Sequence, residues 1–112
     1  MNFDTTTREQ NVTVLHIEGK IIGNTADTFQ RAMERQLKEG NRNLVVALMD
    51  VPLIDSSALG AIILTVQSFR ESGGKLVLLN PQRAVRDILE VTHLATVLEI
   101  YDTEESALSA FS

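Results

Sequence analysis

Apolar positions along the chain fall into short runs that are separated by glycine or by polar turns. Segments of four to seven residues that are rich in apolar or β-branched side chains, such as Val12–Glu18, are typical of strands. Continuous apolar runs such as 44–49 favour strands that are covered on both faces of a sheet. The predicted strands are Phe3–Arg8, Val12–Glu18, Leu44–Met49, Leu76–Leu79 and Val97–Tyr101.

Between these strands, apolar residues recur at helical spacing. Ala26, Phe29, Met33 and Leu37 form one such stripe after the capping side chains of Asn24-Thr25, and Leu59, Ile62, Ile63, Val66 and Phe69 form another. Glycine ends both helices, at Gly40 and at Gly73-Gly74. A third helix is predicted from Asn80-Pro81 and a fourth from Thr103.

The order of predicted elements indicates an α/β fold. After an opening hairpin, strands alternate with helices, and this alternation favours parallel pairing with helical crossovers. We therefore expect a mixed, mostly parallel sheet of about five strands with about four helices. The chain has no internal repeat and no linker, so residues 1–112 are expected to form one domain.

Composition excludes several classes of function. The 112 residues carry a net charge of −5, which argues against nucleic-acid binding because phosphate contacts need clustered Lys and Arg. The absence of cysteine excludes disulfides and zinc–thiolate sites and fits a reducing compartment. No apolar stretch reaches the roughly 20 residues of a membrane span, and the N-terminus lacks the pattern of a signal peptide. We expect a cytoplasmic protein.

The segment Asp55-Ser56-Ser57 is the first candidate for chemistry. It follows the most apolar strand and precedes the most apolar helix, and the carboxyl end of a strand is where α/β proteins gather reactive groups. Three small oxygen-bearing side chains at a helix start can also act only as a helix cap, which contributes about 1 kcal/mol. Spacing alone leaves both interpretations open.

The helix that follows is the second candidate. It has no charged residue from Ser56 through Phe69, although the solvent face of a helix normally carries Lys and Glu. With Leu59, Ile62, Val66 and Phe69 against the sheet, the outward face is predicted to show Ala61, Leu64, Thr65 and Ser68. Such a small, apolar surface is typical of a protein contact site. The alternative is a helix that is buried on both sides within its own domain.

The chain offers little for an enzyme or a metal site. Only His16 and His93 could act as a base, and neither lies near the serines in the predicted elements. The aspartates do not follow a metal-binding spacing. Asp50 resembles a response-regulator aspartate only in its position, because the paired acids of that class are missing. Gly73-Gly74 follows a helix, whereas a phosphate loop precedes one. We expect no enzymatic activity, no metal and no cofactor.

The heptapeptide Ile54–Gly60 resembles the Asp-Ser-Ser/Ala-Gly/Ala-Leu-Gly signature of the anti-sigma factor antagonists, which are members of the STAS domain family. The resemblance extends over nearly the whole chain. It includes Gly19 after the second strand, and the supporting segments are Asn24-Thr25-Ala26, Gly73-Gly74-Lys75, 91–94 and 102–107.

This resemblance implies a STAS fold and a non-enzymatic switch. Members bind an anti-sigma factor that is also a serine kinase, which releases the sigma factor and so regulates transcription. When the serine after the motif aspartate is phosphorylated, the complex dissociates, and a serine phosphatase then removes the phosphate and resets the switch. By position, Ser56 is the implied phosphoacceptor, Asp55 orients the site and Ser57 flanks it. Lys20 and Asn24 are expected to contact the phosphate or the partner.

The resemblance breaks at Ile22. Many antagonists carry an acidic residue here, in a Gly-x-Leu-Asp pattern, whereas this chain reads Gly19-Lys20-Ile21-Ile22. The loss of that carboxylate gives weight to a second hypothesis. Some similar proteins are constitutive binding subunits of lipid-transport ATPase complexes or of stress-signalling assemblies, and they use the same helix surface without phosphorylation. The neighbouring genes distinguish the two hypotheses.

Overall fold

The structure, a computed structural model, describes residues 1–112. It contains five strands, four α-helices and two short 3₁₀ turns, at Glu9–Asn11 and Leu94–Thr96. The strands are β1 (Asn2–Arg8), β2 (Val12–Glu18), β3 (Asn43–Asp50), β4 (Lys75–Leu79) and β5 (Ile100–Tyr101). The helices are α1 (Asn24–Lys38), α2 (Ser56–Glu71), α3 (Arg83–Val91) and α4 (Glu104–Ser109). The predicted order of elements and the predicted fold class are confirmed.

The sheet is mixed, and its strands lie in the order β1-β2-β3-β4-β5. β1 pairs antiparallel with β2, whereas the other neighbours pair in parallel. A tight turn joins β1 to β2, and it uses the left-handed backbone of Gln10 and Asn11 (φ 65° and 58°). Helices connect the remaining strands, as parallel pairing requires.

The core lies on both faces of the sheet. Leu44, Val46 and Leu48 of β3 point into the larger layer, which α1, α2 and α3 cover. Val45 and Ala47 point to the other face, where Ala107 of α4 packs. This two-sided burial explains why β3 reads as a continuous apolar run and not as an alternating one.

Glycine ends α1 and α2 as predicted. Gly40 and Gly73 have φ values of 90° and 80°, which L-residues with a side chain rarely adopt. At each end, the residue after the glycine donates its backbone N–H to a carbonyl five residues earlier, from Asn41 to Gln36 and from Gly74 to Phe69, both at 2.8 Å. These are Schellman caps, and they turn the chain back toward the sheet.

Two of the predicted boundaries are wrong by two residues or more. β5 covers only Ile100–Tyr101 and not 97–101, because the backbone N–H groups of Val97 and Leu98 both donate to the Leu94 carbonyl at 3.0 Å and are lost to the ladder. α3 begins at Arg83 and not at Asn80-Pro81. The Asn80 N–H instead donates to the Tyr101 carbonyl at 2.7 Å, and Asn80 has a left-handed φ of 48°.

None of the helices combines the length and the apolar character that a membrane crossing requires.

Candidate functional site

The start of α2 is built around Asp55. This residue has an extended backbone and is the N-cap, so α2 begins at Ser56. The Asp55 Oδ1 atom accepts a hydrogen bond from the Ala58 backbone N–H at 3.1 Å. Neither serine hydroxyl takes part in this cap. The capping role that the sequence left open for the whole segment therefore belongs to Asp55.

The second carboxylate oxygen of Asp55 joins α2 to the start of α1. Its Oδ2 atom accepts from the Gly23 backbone N–H at 2.8 Å. Backbone bonds between the two loops support this contact, since Ile21 N–H donates to the Leu53 carbonyl at 3.0 Å and Asp55 N–H donates to the Ile21 carbonyl at 3.3 Å. The loop after β2 is thereby held beside the loop after β3.

The same contacts set the charge of Asp55. The backbone hydrogen bond from Gly23 lowers the pKa of this carboxyl most strongly, and the bond from Ala58 lowers it further, against a smaller opposing effect of burial. Because each donor favours the ionised form, Asp55 is a carboxylate at neutral pH. Its two oxygens hold the first turn of α2 beside the loop after β2.

Ser56 and Ser57 are both exposed at this helix start. Lys20 and Asn24 are exposed as well, and the contact between Gly23 and Asp55 brings their loop to the same end of the sheet. The structure therefore gathers the predicted phosphorylation site, its two neighbours and the predicted contacts of the first loop.

The outward face of α2 differs from the prediction. Leu64 is exposed (56%) as expected, and Ser68 is half-buried. The outward placement of Ala61 and Thr65 is wrong, because these residues are only 3% and 1% exposed. The reason is that α2 packs against α1 as well as against the sheet. Thr65 meets its hydrogen-bonding need inside the helix, since its Oγ1 atom donates to the Ala61 carbonyl at 2.7 Å.

The exposed residues of α2 recur every three or four positions and so form one face of the helix. We call it the α2 face, and it consists of the exposed residues Ser56, Ser57, Gly60, Leu64 and Gln67. Gly60 and Gln67 were not among the residues predicted to lie on the outward face. The sequence did contain a signal for the packing of α2 against α1. Ala58, Ala61 and Thr65 are small residues at helical spacing, and small side chains allow two helices to approach closely.

Few charges lie near the α2 face. In segments 20–24 and 53–68 the charged residues are Lys20 and Asp55 alone. Ile22, at the position where the resemblance expects an acid, is 38% exposed, and Leu53 is 40% exposed. Two exposed apolar side chains, Ile22 and Leu53, therefore lie on the loops that meet beside Ser56, together with Lys20 and with the Asp55 carboxylate that two backbone donors hold.

The histidines lie in other contacts. His16 Nε2 is 2.7 Å from Asp50 Oδ2, and His16 Nδ1 is 3.7 Å from Asp4 Oδ1. His93 lies in the exposed turn after α3, with a left-handed φ of 62°. No group of three or more His, Cys, Asp or Glu side chains is arranged to hold a metal ion.

Comparison with known proteins gives the family. The STAS domain family model matches residues 4–107. A protein of Thermotoga neapolitana, provisionally named an anti-sigma factor antagonist, is 30% identical over 100 residues, which span 88% of each chain. A crystal structure of a Thermotoga maritima protein with the same provisional name superposes with a TM-score of 0.90 and 28% identity over 97% of this chain and 93% of that one.

A more distant structure shows the same fold. The phosphorylated form of the Bacillus cell fate determinant SpoIIAA superposes with a TM-score of 0.74 over 99% of this chain and 100% of that one. At 17% identity, this likeness concerns the fold alone. The family match, in contrast, extends from β1 to α4 and includes the start of α2. The chain belongs to the STAS domain family.

Proposed function

We propose that this protein is an anti-sigma factor antagonist whose binding is controlled by phosphorylation of Ser56. Unphosphorylated, it binds an anti-sigma factor that is also a serine kinase and frees the sigma factor. The kinase then modifies Ser56, the complex dissociates, and a serine phosphatase restores the binding form. The provisional names of the two Thermotoga relatives support the first part of this proposal.

The position of Ser56 is the observation that carries the proposal. The residue is exposed, it is the first residue of α2, and it adjoins a helix face without charge. Asp55 caps the helix without help from the serine hydroxyl. A kinase can therefore reach this hydroxyl, and the fold does not depend on it.

The helix start tolerates an added phosphate. Phosphoserine carries about −1.5 to −2 charges at pH 7, and the positive end of a helix dipole favours an anion there by roughly 0.3–1 kcal/mol. The nearby Asp55 carboxylate opposes this gain, but its oxygens face the Ala58 and Gly23 amides. We therefore expect the phosphorylated protein to stay folded.

A docked partner does not tolerate the same charge. Binding across the α2 face removes water from Ser56, and a buried ion without a partner costs several kcal/mol. Even about 3 kcal/mol weakens binding by a factor of about one hundred. Because the phosphate charge is tolerated in the free protein but disfavoured at the interface, phosphorylation switches binding off without a large conformational change.

Ile22 supports a second candidate function. With an exposed isoleucine where an acid is expected, the loop beside Ser56 offers an additional apolar contact and no second carboxylate. This arrangement also suits a constitutive binding subunit of a larger complex, such as a stress-signalling assembly or a lipid-transport ATPase. That subunit would use the α2 face without a phosphorylation cycle.

Phosphorylation distinguishes the two candidates. The wild-type protein is incubated with ATP and the anti-sigma factor that it binds, and intact-mass measurement and peptide mapping follow. The switch predicts one added phosphate on Ser56, its loss in Ser56→Ala, and its retention in the matched control Ser57→Ala. An unmodified wild-type chain in a stable complex with the same protein favours the constitutive subunit.

A further inference from the structure

The outer edge of β1 is open. β1 is the first strand of the sheet and has one neighbour, β2. All seven of its residues are exposed, and the backbone groups that point away from β2 have no partner in the chain. An open edge is a template for pairing with another strand.

The usual protection against such pairing is weak in β1. Edge strands are commonly protected by proline, by lysine, by a bulge or by being very short. β1 contains no proline, no lysine and no glycine, and it pairs with β2 in continuous register from Asn2 to Arg8. Its centre, Thr5-Thr6-Thr7, consists of β-branched residues, which favour strands.

The charges of β1 are arranged symmetrically about Thr6. Asp4 and Arg8 lie two residues to either side of it, with opposite sign. They share one face of the sheet, because residues four apart in a strand point to the same side. On that face, Asp4 lies 3.7 Å from His16 of β2, and Arg8 lies 3.1 Å from Glu104 of α4. Both side chains are exposed.

This symmetry makes β1 complementary to a second copy of itself. An antiparallel pair centred on Thr6 places Asp4 of each copy opposite Arg8 of the other, and Thr5 of each opposite Thr7 of the other. Opposite charges and threonine pairs both stabilise directly facing positions in antiparallel strands. A strand whose charges had the same sign would repel its own copy in this register.

We propose that β1 is the interface of a homodimer in which the two sheets join edge to edge about a two-fold axis at Thr6. The interface is isologous, as closed dimers require, and it forms by strand addition. It is independent of the proposed function. Asn2 pairs with Glu18 at the end of β2 that leads to the Ser56 site, so antiparallel pairing directs the two sites away from each other and leaves both accessible.

Cysteine cross-linking tests the register directly. The chain has no cysteine, so each substitution introduces the only thiol of each copy. In Thr6→Cys, the thiol lies opposite its own copy, within the Cα separation of about 4.4–6.8 Å that a disulfide needs. In the matched control Thr5→Cys, the thiol is displaced by two residues along the strand from its copy, which is roughly 8 Å and too far.

The proposal expects fast disulfide formation for Thr6→Cys and at least tenfold slower formation for Thr5→Cys. An equal mixture of Thr5→Cys and Thr7→Cys proteins should also cross-link, because these positions face each other. Equal rates for Thr6→Cys and Thr5→Cys would overturn the proposed register, and the absence of any cross-link would overturn the dimer.

Charge reversal provides a second, independent test. Sedimentation is followed over a range of protein concentrations for wild type, Asp4→Arg, Arg8→Asp and the double variant, with thermal unfolding to show that each one is folded. Each single reversal should weaken dimerisation at least tenfold, and the double variant should restore it because opposite charges face each other again. A wild type that stays monomeric at the highest concentration, or a double variant no better than the single ones, contradicts the proposal.

Discussion

Replacing Gly60 with alanine is expected to make the protein more stable. Gly60 lies inside the 16-residue helix α2, its φ is not positive, and a Cβ atom added there would meet no atom within 4 Å. The fold therefore gives no reason for glycine at this position. Alanine in a helix interior is more favourable than glycine by roughly 0.5–1 kcal/mol.

Thermal and urea unfolding, followed by circular dichroism, measure this gain. For a chain of this size, such a difference raises the melting temperature by about 2–6 °C. Gly74→Ala is the matched control with the opposite expectation. A Cβ atom at Gly74 would lie 2.3 Å from the Arg42 carbonyl oxygen, so this variant should lose roughly 1–3 kcal/mol.

The same methyl group probes the proposed interface. Gly60 lies one helical turn after Ser56 on the α2 face, where a partner in close contact has no room for an added side chain. Overpacking a well-fitted contact costs about 1–3 kcal/mol, which weakens binding by roughly fivefold to a hundredfold. We therefore expect Gly60→Ala to unfold later and to bind its partner less tightly. A loss of stability in Gly60→Ala would refute the description of the α2 face as open.

Three further predictions concern single side chains. Leu64→Lys should weaken partner binding with little change in melting temperature, since Leu64 is exposed, whereas Ala61→Lys should lower the melting temperature strongly because Ala61 is buried. Asp55→Asn should destabilise the protein at neutral pH, as measured by urea unfolding. The pKa of Asp55 is lowered from 3.8 in the folded protein, so the ionised carboxylate stabilises the fold above that pH, and this stabilisation should be lost as the pH falls below it. A difference in stability between Asp55→Asn and wild type that does not change with pH would contradict this assignment. Ser56→Glu should weaken partner binding, as measured by titration, with an almost unchanged melting temperature.

Local signals in the sequence were sufficient for most of the fold. The boundaries of β2 agree with the prediction, because the β-branched run between a polar turn and Gly19 is unambiguous. The ends of α1 and α2 were predictable from glycines that adopt a left-handed backbone. The placement of Ser56 was predictable as well, since it follows a buried strand and opens a helix.

Two long-range contacts and one local turn explain what the sequence did not show. The outward phase of α2 was misjudged because the helix is apolar almost all round, so spacing alone does not indicate which side meets α1. The bond from Gly23 to Asp55 joins residues 32 positions apart, and no local pattern predicts it. β5 is short because Val97 and Leu98 turn back to Leu94, a local bond that competes with the ladder.

The most direct test of the switch compares two forms of the same protein. Wild-type protein with Ser56 unmodified, and the same protein phosphorylated at Ser56, are titrated into the anti-sigma factor in a calorimeter, and the melting temperature of each form is measured. We predict tight binding by the unmodified form, binding weaker by about a hundredfold or more after phosphorylation, and nearly equal melting temperatures. Equal affinity of the two forms would contradict the switch, and a large fall in melting temperature on phosphorylation would contradict its proposed mechanism.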